Sequence, residues 1–336
     1  MFILGMRVVS FMIILRMVTS LYIVLNRSQN KFSVISRYTL LTAVFDMAIK
    51  IILIVRFGFH GLLWSFVFTL GAGVVYFYKA SKARFKFVLS FAFKEVVDLL
   101  KIGFPIFIMG FIEMTFRNLD RIMIIRLLDR EQLGLYTIAL MVSVYALQLP
   151  NLVYAVFFPR FYQAYGERQN ISKIKELFVK PTVIFACLFP ILMGVTILGL
   201  PLLVRYILPT YLAGVAPARI LLLGSSFIAL VNMPGYLLIA LNKQVYMIAI
   251  GIIGICAGIT INILLVEKFK LGLSGIAVGT AVSYFLYATI LIACAFRNYT
   301  KKFFLHLKFF IELYAPFLWV TIILAALQAF TFSGSG

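Results

Sequence analysis

The sequence predicts an all-α, polytopic membrane protein of about ten transmembrane helices. Their arrangement is predicted to be a partial first lobe and a complete six-helix second lobe of a two-lobed, parallel-repeat transporter. Three observations carry this. The chain is 63% apolar and only 12% charged, where a soluble domain carries roughly 25% charge. Ten separate apolar runs are each long enough to cross a bilayer. A pattern of turns and spans near the N-terminus recurs about 215 residues later.

A bilayer core about 30 Å thick takes roughly 20 apolar residues as a helix. The qualifying spans are A 3–25, B 38–56, C 61–78, D 99–126, E 133–158, F 181–204, G 218–241, H 245–266, I 272–296 and J 309–332. None alternates like a strand, and lipid leaves no backbone group unpaired, so helices are the workable spans. Span A has no basic segment ahead of its apolar core, so it does not read as a cleaved signal peptide. Mean hydropathy is +1.07, which excludes an ordinary soluble enzyme. Cys187, Cys256 and Cys294 lie in apolar runs and read as packing residues. His60 and His306 are too few and too separated for a metal site, and no cofactor is implied.

The net charge of +20 would suit nucleic acid, but its distribution argues for membrane topology instead. Alternate connections (A–B, C–D, E–F, G–H and I–J) hold nineteen Lys and Arg, and the intervening ones hold seven. The richer set is therefore assigned to the cytoplasm. The chain then begins outside, in a multi-pass protein of the cell (cytoplasmic) membrane.

Leu25-Asn26-Arg27 opens a basic turn between A and B, and Leu241-Asn242-Lys243 opens one between G and H. Phe57-Gly58-Phe59-His60-Gly61 matches Leu271-Gly272-Leu273-Ser274-Gly275 at an offset of 214. Self-similarity at a nearly fixed offset marks a duplicated unit, here in one orientation. Spans D to I would form one six-helix unit and A to C the second half of another. The expected divisions are 1–94, three helices of lobe one plus a cytoplasmic linker; 95–297, lobe two; and 298–336, an additional C-terminal helix. This pattern leads us to expect about 120 residues and three spans upstream of Met1 in a complete transporter.

Eight ionisable residues fall inside spans, all in A, B and D: Arg7, Arg16, Asp46, Lys50, Glu113, Arg117, Asp120 and Arg121. A charge at mid-bilayer costs about 2.5–3.5 kcal/mol on insertion scales. Such a group needs a partner or a water-filled surround. Glu113, Arg117 and Arg121 share one face of D, with Asp120 beside it, so Glu113–Arg117 and Arg117–Asp120 pairs can form. An Asp120–Arg121 ion pair is the structural alternative. Asp46 and Lys50 stand one turn apart and can satisfy each other. Arg16 has no acid on its own helix. Arg7 lies near an interface and can snorkel. Gly254-x-x-x-Gly258 and Gly275-x-x-x-Gly279 predict close approach of H and I, and Pro150, Pro190 and Pro234 predict kinks.

Further residues carry a resemblance. Leu100-Lys101-Ile102-Gly103-Phe104-Pro105, then Asn118-Leu119-Asp120-Arg121, then Leu133-Gly134-Leu135-Tyr136-Thr137-Ile138-Ala139 follow one another in D and E. Phe157-Phe158-Pro159 and Pro209-Thr210-Tyr211 come later. Their order resembles the polysaccharide exporters of the multidrug/oligosaccharidyl-lipid/polysaccharide superfamily, in particular the O-antigen and capsule repeat-unit flippases. The resemblance covers helices four to thirteen of that family's plan. It implies translocation of a polyprenyl-pyrophosphate-linked oligosaccharide across the membrane by alternating access, with membrane lipid and polysaccharide polymerases as partners and no nucleic acid.

On that reading Arg16, Asp46, Lys50, Glu113, Arg117, Asp120 and Arg121 are the substrate-binding cavity charges. Arginine offers forked donors to a pyrophosphate. A multidrug cation antiporter of the same superfamily would favour an acidic cavity. A membrane-embedded glycosyltransferase or polymerase would need a sizeable outer loop with paired carboxylates. The outer connections here are short, so no enzyme is expected.

Overall fold

The computed structural model describes residues 2–29, 31–81, 93–166, 171–241, 243–298 and 303–333. Lys82, Arg84, Lys86, Arg168, Asn242, Lys301 and Lys302, all used in the sequence reading, lie outside them, as do the side chains of Phe157, Phe158 and Pro159. The described chain is helical almost throughout. Its helices are α1 (Phe2–Ser28), α2 (Phe32–Ala80), α3 (Phe93–Arg117), α4 (Leu119–Leu127), α5 (Arg130–Gly166) and α6 (Ile171–Ile207). They continue as α7 (Val215–Ala229), α8 (Asn232–Ala240), α9 (Gln244–Ile263), α10 (Gly272–Arg297) and α11 (Phe303–Ser333). Among the described residues, seven helical stretches are long and apolar enough to cross a membrane, corresponding to spans A and E to J. Spans B and C form α2, and D forms α3 and α4.

The chain divides into two compact units, Met1–Ala92 and Phe93–Gly336. In the first, α1 packs on α2, and α2 is two arms joined at Gly58, which has φ +56°. Tyr38 packs on Phe77, Asp46 accepts a hydrogen bond from Thr69, and Lys50 sits over Phe66. Partner positions fall on one arm as they rise on the other, so the arms are antiparallel. Only glycine takes this backbone conformation without strain. Gly272, its partner in the sequence repeat, has φ +53° at the first residue of α10. Among the described residues these are the two glycines with positive φ, so the two repeat positions share its sign. Tyr22 stacks on Phe77, and the buried Asn26 amide donates to the Tyr22 carbonyl and Ser81 Oγ. These contacts tie α1 to the end of α2.

The second unit is built around α7–α8 and α10. Their most apolar stretches are 67% and 56% buried, against 28–39% for those of α5, α6 and α9. α7 packs on α5, α6 and α10, while α9 packs on α3 and α10. In lipid such association rests on close packing rather than on water exclusion, and small residues supply it. A Cβ on Gly258 would meet Leu119 Cδ2 at 2.5 Å and Ser283 Oγ at 3.1 Å. Gly254 faces Phe116 of α3 instead, so the first glycine pair serves α3 and α4 as well as α10.

Span D and the E–F connection differ from the sequence expectation, and span G shows the kink expected at Pro234. Span D is interrupted at Asn118, whose φ/ψ of −109°/8° separate α3 from α4. Its side-chain amide donates to the Met114 carbonyl, the local competition by which asparagine disturbs helices. Span G breaks at Leu230–Val231, just before α8. Pro234 lacks an N–H for the Leu230 carbonyl, so the kink falls there. The polar stretch 159–180 is largely helical, because α5 runs on to Gly166 and α6 starts at Ile171.

Candidate functional site

The charged candidates fall into two sets, one in each unit. In the first unit, α1 and both arms of α2 enclose a cleft of about 570 Å³. Arg16 enters it from α1, Asp46 and Lys50 from the first arm, and Thr69 and Phe66 from the second. Tyr38, Thr39 and Thr42 complete its polar lining. The Asp46 carboxylate is shared, with Lys50 Nζ on one oxygen and Thr69 Oγ1, 3.0 Å away, on the other. Lys50 Nζ also lies 4.5 Å from the Phe66 ring centroid. The pair is thus satisfied internally, with side chains 28% and 29% exposed. Arg16 is exposed to the cleft and has no hydrogen-bonded or ion-paired partner among the described residues. Its guanidinium keeps its full fork of donors for a ligand. Sequence spacing could not reveal this, because the three residues meet across helices.

In the second unit, Glu113 Oε1 accepts from Arg117 Nε at 3.0 Å and Nη2 at 2.8 Å. The expected Glu113–Arg117 pair is therefore present, and it occupies one edge of the Arg117 fork. Neither the Arg117–Asp120 nor the Asp120–Arg121 side-chain pair forms. The break at Asn118 turns Arg121 Nη1 onto Asn118 Oδ1, and Asp120 accepts instead from the Arg121 backbone N–H at 2.8 Å. Asp120 is 1% exposed. Its carboxylate is therefore shut away from solvent rather than facing an open cavity.

Asp120 sits in a polar pocket that the sequence reading missed. Tyr136 and Tyr284 lie beside it, and Thr280 lies beside Tyr136. Asn262 packs on Gly279, whose Cβ, if present, would overlap its amide oxygen. Tyr136 OH stands within reach of both the Asp120 carboxylate and Thr280, and both amide atoms of Asn262 are buried without a hydrogen-bond partner among the described residues. Such orphaned atoms ordinarily hold ordered water or an ion. The oxygens grouped at Asp120, from its carboxylate, Tyr136, Tyr284 and Thr280, suit a hard cation or water. The signal was a lone polar residue in each of several apolar spans, too sparse to assemble without coordinates. No cluster of three or more His, Cys, Asp or Glu occurs among the described residues.

All seven charged candidates lie within residues 2–210, which match the family described as polysaccharide biosynthesis protein. The chain belongs to that family. No curated protein matches it in sequence. Among solved structures it is similar to the MATE transporter ClbM in complex with Rb+, at 17% identity and a TM-score of 0.62, covering 86% of this chain and 65% of that one. It is also similar to a MATE transporter in the bent conformation, at 16% identity and a TM-score of 0.58, covering 87% and 63%. An inward-facing multidrug resistance MATE transporter of the MOP superfamily gives 15%, 0.58, 86% and 64%. The chain spans just under two thirds of the length of these neighbours. Their identities establish the fold, a MATE-like bundle, and with the apolar helices they make this a multi-pass membrane protein. The family match points to polysaccharide biosynthesis, while the structural likeness bears on the fold alone.

Proposed function

We propose that this protein translocates a polyprenyl-pyrophosphate-linked oligosaccharide across the cytoplasmic membrane by alternating access, for surface-polysaccharide biosynthesis. The observation that carries the reading is Arg16, a guanidinium without a partner among the described residues, in a cleft of about 570 Å³ inside an apolar span. An Arg kept there without an acid costs about 2.5–3.5 kcal/mol at mid-bilayer. An anionic ligand supplies the missing partner. Arg16 takes the pyrophosphate through its fork. Asp46, Tyr38, Thr39 and Thr42 offer acceptors and hydroxyls to sugar. Arg117, held by Glu113, acts as a second station that opens when the pair parts.

The Asp120 pocket supports a coupling role for a small cation or proton; one MATE neighbour was solved with Rb+. A multidrug cation antiporter fits less well, because the first cleft carries two bases against one acid.

The test is surface polysaccharide in cells that depend on this protein. Arg16→Ala abolishes export at normal protein level, and Arg16→Lys restores part of it, since charge returns without the fork. Normal export by Arg16→Ala at normal protein level would remove the cleft from the mechanism.

A further inference from the structure

A second opening, of about 370 Å³, lies in the second unit and is separate from the paired charges. Leu133, Thr137, Leu140, Met141 and Val144 line it from a single stripe of α5, and Arg121 of α4 closes one side. The stripe repeats every three to four residues, so the groove follows one helix face. Arg121 stands six residues before the end of α4, about 9 Å from the α4–α5 turn at the helical rise. Thr137 is seven residues into α5 and lies at nearly the same level. Leu133 lies one helical turn nearer the α4–α5 turn, and from Thr137 the groove runs eight residues deeper to Tyr145, about 12 Å farther along the helix. Arg121 is exposed, and its recorded side-chain hydrogen bond goes to a neutral group, Asn118. The opening therefore has a cationic mouth near a helix turn and an apolar channel one helix face wide leading into the membrane.

Resting on the transport reading above, we propose that this groove seats the hydrocarbon chain of the lipid carrier while Arg121 holds its phosphate. A groove one face wide takes one chain, which selects a single-chain polyprenyl phosphate over a two-chain phospholipid. The charge complementarity selects a phosphate over a neutral alcohol. The positive-residue asymmetry places the α4–α5 turn outside, so the seat belongs to the outer leaflet, where a transported lipid is delivered.

The test uses the full chain in nanodiscs of phosphatidylcholine, with a long-chain polyprenyl phosphate as probe. Val144→Trp fills the channel from an exposed position, Arg121→Gln removes the charge, and Leu202→Trp on the exposed face of α6 is the control. The expected result is binding weakened about tenfold or more by each of the first two and unchanged by the third. Polyprenol without phosphate binds correspondingly less, and phosphatidylglycerol does not displace the probe. Absent binding, binding unchanged in Val144→Trp, or equal displacement by phosphatidylglycerol would each overturn the seat. Export that continues normally in Val144→Trp sinks the seat and leaves transport standing. Intact binding in a protein that transports nothing sinks transport and leaves the seat.

Discussion

Replacing Asp46 by Asn removes the charge that holds Lys50 and accepts from Thr69. Losing one partner of a buried pair costs about 3–5 kcal/mol. Here the side chains keep 29% and 28% exposure, and the Phe66 ring still faces Lys50, so the expected loss is about 2–3 kcal/mol. Lys50→Met should cost a similar amount by stranding the carboxylate. The double variant Asp46→Asn/Lys50→Met leaves no uncompensated charge and should lie within about 1 kcal/mol of the parent. The coupling between the sites is then about 3 kcal/mol or more. Denaturant titration of the purified protein in detergent, followed by helical circular dichroism, reads all four proteins. Additive losses in the double variant, or single variants as stable as the parent, would refute the pairing argument. Export by a stable double variant separates the two roles left open for this pair. Retained export makes it structural, and lost export makes it part of substrate recognition.

Other tests follow from the same geometry. Gly279→Ala forces a methyl onto the Asn262 amide and should cost about 1–3 kcal/mol, whereas Gly134→Ala, with open space around it, should be neutral in the same titration. Asp120→Asn should leave folding intact while abolishing any dependence of transport on the coupling cation or proton; persistence of that dependence would exclude the Asp120 pocket. In a background lacking Cys187, Cys256 and Cys294, Arg130→Cys should react with an impermeant thiol reagent added to intact cells, and Lys82→Cys and Asn170→Cys should resist it. Labelling of Asn170→Cys from outside would invert the topology.

Much of the architecture was legible because lipid imposes simple rules. Long apolar runs had to be helices, and Gly58 and Gly272 stood out through their matched context. Both adopt the positive φ that a tight turn between helices needs. Hydropathy said less about where helices continue outside the apolar layer. Residues 159–180 carry charge, yet α5 and α6 extend through most of them. The break at Asn118 has no proline or glycine to announce it. That one-residue interruption decides which way Arg121 points, so side-chain pairs counted along an unbroken helix were only half right. Glu113–Arg117 survived because both residues lie before the break. The Arg16–Asp46–Lys50 cleft and the Asp120 pocket depend on which helix faces which, information that no local spacing contains.

The most direct test is transfer of a fluorescent polyprenyl-pyrophosphate-linked oligosaccharide between leaflets of proteoliposomes containing the purified protein. Lectin capture at the outer surface reports the fraction exposed over time. The account predicts transfer well above protein-free vesicles, strongly reduced by Arg16→Ala and partly restored by Arg16→Lys. Transfer no faster than in empty vesicles, from protein shown to be folded, would contradict it.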